Sequence, residues 1–177
     1  GTTPRVEPDL PRIVSGVFNG KTTGAPITIV FENTNTKSGD YANLWNQPRP
    51  GHADLTGQRK YGKYNDPRGG GHFSGRITLG IVAAGVIAKK IISPLTIQAQ
   101  LIEAGGSENI SEAVEKAIEE KDSIGGVIEC VCSHVQPTLG EPFFDSAEAL
   151  ISHMIFAIPA TKGIEFGSGF AAARMKG

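Results

Sequence analysis

Residues 49–76 read RPGHADLTGQRKYGKYNDPRGGGHFSGR. They hold His52 and His72, two of the four histidines, beside Arg49, Arg59, Lys60, Lys63, Arg68 and Arg76 and around the run Gly69-Gly70-Gly71. Arginine stays charged at physiological pH and can grip a carboxylate or phosphate with two parallel N–H donors. Histidine changes protonation near neutrality and so can hand over a proton. Consecutive glycines ahead of a helix let backbone N–H groups approach an anion, because glycine tolerates the φ values such a turn demands. These residue types together describe a site for an anionic, phosphorylated ligand. The triple glycine alone carries little, since it lacks the strand, turn and Lys-Ser/Thr context of a nucleotide-binding loop.

A chain of 177 residues suits one domain and is long enough to bury a core. Its formal net charge is −1, so no global basic excess recruits nucleic acid or a membrane surface, and anion binding has to be local. No secretory signal is expected, because Gly1-Thr2-Thr3-Pro4-Arg5 is followed by no apolar segment. The most apolar stretch, residues 77–88, is shorter than the roughly 20 residues of a membrane span. Cys130 and Cys132 stand two apart; on a strand they share a face and do not readily close a disulfide. The expectation is a cytoplasmic protein with reduced thiols and no metal site.

The elements that must position residues 49–76 follow from patterning. Residues 13–18 read as a strand and Asn19-Gly20 as a tight turn. Residues 27–33 alternate and complete an antiparallel hairpin, apolar on one face. A long loop then runs to Gly71, anchored by Tyr41, Trp45, Tyr61 and Tyr64, which a flexible linker would lack. Residues 74–92 form a helix with Ser74 as N-cap and Lys89-Lys90 at its C-terminal end. Its apolar residues cover most of the circumference, which predicts a buried helix packed between layers. Residues 95–101 and 127–135 read as strands, and the helix between them opens on the capping box Asn109-Ile-Ser-Glu112. Asp145-Ser-Ala-Glu148 reads as a second capping box, and residues 160–166 as a last short strand. The predicted class is α+β: a β-α-β sandwich with a central buried helix and antiparallel sheets.

The motifs resemble those of chorismate synthase. Arg49-Pro-Gly-His-Ala-Asp54, Lys60-Tyr-Gly62, Asp66 and Gly69-Gly-Gly71 follow the family's spacing, as do Ala83-Ala-Gly85 with Ile87-Ala-Lys-Lys90, Asp122-Ser-Ile-Gly125 and Gly140-Glu-Pro142. Ser15-Gly-Val-Phe18, Lys21-Thr-Thr-Gly24 and Ile158-Pro-Ala160 extend the likeness over nearly all of the chain. The resemblance implies a 1,4-elimination of phosphate from 5-enolpyruvylshikimate 3-phosphate to give chorismate, with reduced FMN required. It implies that Arg49 and Arg76 hold the substrate's anionic groups and that His52 donates a proton toward the flavin. His72, Phe73 and Ser74 occupy the family's flavin-contacting triplet. It also implies a homo-oligomer, generally a tetramer, with neither nucleic acid nor membrane as partner.

Two departures stand out. The triplet is His-Phe-Ser where many members carry Arg-Ser-Ser. The family is also roughly twice this length, with a Gly-Glu-Ser-His-Gly motif before, and Lys-Pro-Thr-Ser-Ser and Arg-His-Asp motifs after, the part seen here. Residues 1–177 are therefore expected to form a single chorismate synthase-like domain, about half of the full fold, inactive alone. The alternatives are a non-catalytic relative binding a flavin, nucleotide or partner chain, and a flavin-dependent oxidoreductase. On residue type alone His52 reads rather as a loop histidine satisfied by backbone, and His72 equally as an anion contact or a turn filler; His134 and His153 read as structural.

Overall fold

The computed structural model describes residues 7–34, 38–41, 43–66 and 68–177. One compact unit runs to Ser93 and takes in Ile97–Val131; the other comprises Pro94–Thr96 and Cys132–Gly177.

The N-terminal part of the first unit is two nested antiparallel ladders. Strand β1 (Pro11–Ser15) pairs with β4 (Thr28–Phe31), setting Arg12 opposite Val30 and Ile13 opposite Ile29. The register shifts between Ile13 and Ser15, and Ser15 then donates its hydroxyl to Pro26 O and meets Thr28 Oγ1, both at 2.9 Å. Beyond that irregularity β2 (Val17–Phe18) pairs with β3 (Lys21–Thr22) across Asn19 and Gly20, both at positive φ as a primed turn requires. The expected hairpin is present. It is folded as two short ladders rather than one, because the bulge resets the pairing.

The long connection is not structureless. Helix α1 (Asp54–Tyr61) lies inside it, followed by tight 3-10 turns at Gly62–Tyr64, Arg68–Phe73 and Gly75–Ile77. Gln58 anchors α1 by donating its amide to the carbonyls of Leu44 and Trp45, at 2.9 and 3.0 Å. Leu44 is one of the buried apolar side chains of this unit, with Ala104 and Ala117.

Helix α2 (Thr78–Ile91) follows directly. Ser74 caps the 3-10 turn that leads in, its Oγ accepting from the Arg76 N–H at 3.3 Å. Lys89 and Lys90 sit in the last turn, where their charge suits the dipole. The expected burial is not met. No residue of α2 is buried; Val82 is 65% and Val86 57% exposed. The element packed on it most is the turn it grows from. An all-round apolar helix is covered only when layers lie on both sides, and the described elements supply none.

Strand β5 (Thr96–Ala104) pairs with β6 (Gly126–Ser133). The Gly105 N–H donates to Gly125 O at one end, while Gln100 reaches Glu129 further along, so the pair is antiparallel. Between them α3 (Ile110–Glu119) buries Ala117. The expected capping box is not formed: the Asn109 amide donates to the Glu112 carboxylate at 2.8 Å, while its backbone N–H donates to Ser107 Oγ at 3.1 Å and no side chain caps the helix backbone.

In the second unit α4 (Ala147–Ile155) is capped by Ser146, whose Oγ accepts from the Ala149 N–H at 3.2 Å. The cap is one residue later than the expected Asp145. Residues 161–166 form no strand, and a 3-10 helix, Gly169–Arg174, follows. The result is a mixed α/β chain with small antiparallel sheets.

Candidate functional site

Helix α1 organises the Arg49–Arg76 segment. Asp54, its first residue, carries the acidic charge suited to a helix N-terminus, while Arg59 and Lys60 lie in its last turn. Asp54, Gly57 and Tyr61 are spaced i, i+3, i+7 and therefore share one face over about 10 Å of helix.

At the N-terminal end of that face Asp54 clamps Arg49. The guanidinium donates from Nε to Oδ2 at 2.8 Å and from Nη2 to Oδ1 at 2.9 Å, and the Arg49 backbone N–H adds a bond to Oδ2 at 3.0 Å. Asp54 is almost fully covered, at 8% side-chain exposure, and Arg49 about two-thirds covered at 34%. Hydrogen bonds from Arg49 pull the Asp54 carboxyl down to about 2, against the opposing cost of its desolvation. Arg49 in turn lies over the Tyr41 ring, 5.8 Å from its centroid. His52 sits in the turn this clamp closes, its N–H donating to Arg49 O at 3.3 Å. Its side chain is exposed and makes no hydrogen bond among the described residues.

Further along the face, aromatic rings gather. Gly57 is buried, and a Cβ there would lie 2.9 Å from Phe73 Cε2 and 3.1 Å from Asn65 Oδ1. His72 stacks on Phe73 with centroids 4.2 Å apart, and Tyr61 meets His72 edge-on at 5.3 Å. Gly71 stands at φ +54° with Asp66 O only 2.5 Å from where a Cβ would be, so the turn that delivers His72 and Phe73 admits glycine alone. The rings of His72 and Phe73, tilted by 32° to each other, are both exposed. Ser74 is half-buried, its hydroxyl turned to the local backbone.

Arg76 is held elsewhere. Its Nη2 lies 2.6 Å from Asp9 Oδ1, as an ion pair whose atoms are buried and not aligned as a hydrogen bond. Arg68 is paired to Asp66 at the surface, Nη2 to Oδ2 at 2.7 Å. The structure thus brings Arg49, His52, His72 and Phe73 onto or beside one helix, while Arg76 is tied to the N-terminal segment. The Asp9 carboxylate and the notch at Gly57 escaped sequence reading; Asp54 was legible in the motif and Tyr61 as an aromatic anchor of the loop, but not their contacts with Arg49 and His72. An acid five residues after Arg49, at a helix start, was the signal available for Asp54.

The chorismate synthase family model matches residues 1–177. The chain belongs to the chorismate synthase family. It is 62% identical to the chorismate synthase of Chitinophaga pinensis, covering 100% of this chain and 54% of that protein. It is 46% identical to that of Dehalococcoides mccartyi and 45% identical to that of Pyrococcus abyssi, in each case over 99% of this chain and 56% and 57% of the relative. The chain thus spans about half the length of the chorismate synthases it matches. Among the described residues no helix is long and apolar enough to cross a membrane.

Proposed function

We propose that this chain carries the substrate-side half of a chorismate synthase site, taking phosphate from 5-enolpyruvylshikimate 3-phosphate by 1,4-elimination to leave chorismate. The support is the family match over residues 1–177 together with the clamp and the ring cluster on one face of α1. In this reading Arg49 and Arg76 hold the phosphate and carboxylates of the substrate, each group suited to a planar two-donor grip. His52, exposed beside the clamped arginine, donates a proton toward the flavin side of the site. His72, Phe73 and Ser74 receive the flavin, the two rings by stacking and Ser74 at the edge of the turn. Reduced FMN, when bound, would lend electron density to the substrate ring as the C–O bond to phosphate breaks and recover it as the ring proton leaves, so that phosphate and one proton depart with no net redox change.

The same reading makes residues 1–177 one domain, with α2 as the middle layer of a β-α-β sandwich once the rest of the fold or a second copy lies on it. It has the protein acting in the cytoplasm as a homotetramer, with neither nucleic acid nor membrane as partner. Because residues 1–177 span about half of their relatives, little or no turnover is expected from this chain alone. The test is an anaerobic assay with 5-enolpyruvylshikimate 3-phosphate, FMN and a reductant, run beside an intact relative. Chorismate from the relative but not from this chain is expected; equal turnover would overturn the half-site reading. Reductant consumed in proportion to product would instead mark an oxidoreductase.

A further inference from the structure

We propose that Asp54 is a positioning residue that turns the outer edge of the Arg49 guanidinium toward the substrate's anionic group, so that Arg49 binds one two-oxygen anion with a fixed pair of donors. This rests on the reading of Arg49 as a substrate contact. A guanidinium has two edges able to grip a carboxylate: the side edge, made by Nε and one Nη, and the end edge, made by both Nη groups. Asp54 takes the side edge, with Nε and Nη2 at 2.8 and 2.9 Å. The end edge keeps its two parallel N–H bonds.

Three observations say that the clamp is built rather than incidental. Asp54 also accepts the Arg49 backbone N–H at 3.0 Å, so both ends of that residue are fixed by one carboxylate. Asp54 is itself the first residue of α1, which Gln58 fastens to the Leu44 and Trp45 carbonyls. The Tyr41 ring faces the guanidinium, its centroid 5.8 Å from Cζ. A long side chain that would lose rotamer freedom on gripping a ligand has lost much of it beforehand. The contrast is Arg68, whose side edge is also filled, by Asp66, but whose side chain is 72% exposed and lies over no ring among the described residues.

The Asp54 charge repels every anion, so affinity alone does not report its role. Selectivity between two anions of equal charge does. Acetate has two oxygens for the end edge; chloride has no direction to recognise. The Arg49 side-chain Nε–H resonance is followed by NMR in the whole chain while sodium acetate or sodium chloride is added at pH 7. Acetate is expected to bind about tenfold tighter than chloride in the unsubstituted chain, the ratio falling to about one in Asp54→Asn and Asp54→Ala and largely returning in Asp54→Glu. An unchanged ratio in Asp54→Asn and Asp54→Ala overturns the proposal. If substitution unfolds the segment, the unsubstituted chain still decides: free rotation of the Arg49 guanidinium about its Nε–Cζ bond would also overturn it. Should neither anion move the Arg49 resonance in the unsubstituted chain, the anion-site reading itself fails.

Discussion

A Cβ at Gly57 would lie 2.9 Å from Phe73 Cε2, so the middle of α1 is notched to seat an aromatic ring of the candidate flavin surface. Gly57→Ala gains about 1 kcal/mol of helix propensity, yet the new methyl must push the Phe73 ring aside. Global stability is expected to change by less than about 1 kcal/mol, because a part-exposed ring can swing away. The contact of Phe73 with His72 should be lost and flavin affinity should drop about tenfold. Ring-to-ring NOEs and FMN fluorescence titration check both. Unchanged NOEs would show that the notch does not set the ring position.

Asp54 gives a pH dependence. Its folded pKa, about 2, lies below its ordinary value of 3.8, so the stability it contributes is complete above about pH 4–5. It drains away as the pH falls through the folded value. Asp54→Asn is expected to cost about 1–2 kcal/mol at pH 7 and to flatten the stability profile between pH 4 and 2. Asp66 is the control. Its carboxyl is lowered to about 2 by Arg68 as well, but both side chains stand more than half in solvent, and Asp66→Asn should leave the melting temperature unmoved. Denaturation followed across that pH range separates the two.

Ser146→Ala removes the hydroxyl that accepts the Ala149 N–H and is expected to destabilise α4 by about 1 kcal/mol. Asp145→Ala, one residue earlier, should cost less than half of that. Helical hydrogen exchange at Ala149 and Leu150 reads the difference. A larger loss from Asp145 would put the cap back where patterning placed it.

Helix α2 exposes its apolar faces, so Val86→Ala should cost under about 0.5 kcal/mol in this chain, against the 1–2 kcal/mol expected for a covered valine. Thermal melts of the two chains settle it. A loss at the higher figure would mean the helix is covered in solution. The same exposure predicts binding of an apolar dye, reduced by Val86→Lys.

Local rules carried the sequence reading a long way. Asn19-Gly20, the alternation over residues 27–33 and the C-terminal lysines of α2 each have a local cause, and each element is present within a few residues. The failures lie where the deciding partner is distant in sequence or outside the chain. Helix α1 went unseen because Gly57 interrupts it and its exposed face is charged, so neither propensity nor period marks it. Its support is a pair of carbonyls at Leu44 and Trp45 that no local pattern shows. The burial expected of α2 from its composition is not met, because it needs layers on both sides that the described elements do not supply. At the site, Arg49, His52 and the His72-Phe73 pair were legible from residue type and motif. Their arrangement was not, because it depends on a glycine notch and a carboxylate clamp that appear only once α1 is folded.

The most direct measurement is an NMR titration of the whole chain with 5-enolpyruvylshikimate 3-phosphate, with every backbone amide and arginine side chain followed. The account predicts saturable shifts centred on Arg49, His52 and Arg76, abolished by Arg49→Ala with the fold retained. Shifts confined to other surfaces, or binding indifferent to Arg49→Ala, would contradict it.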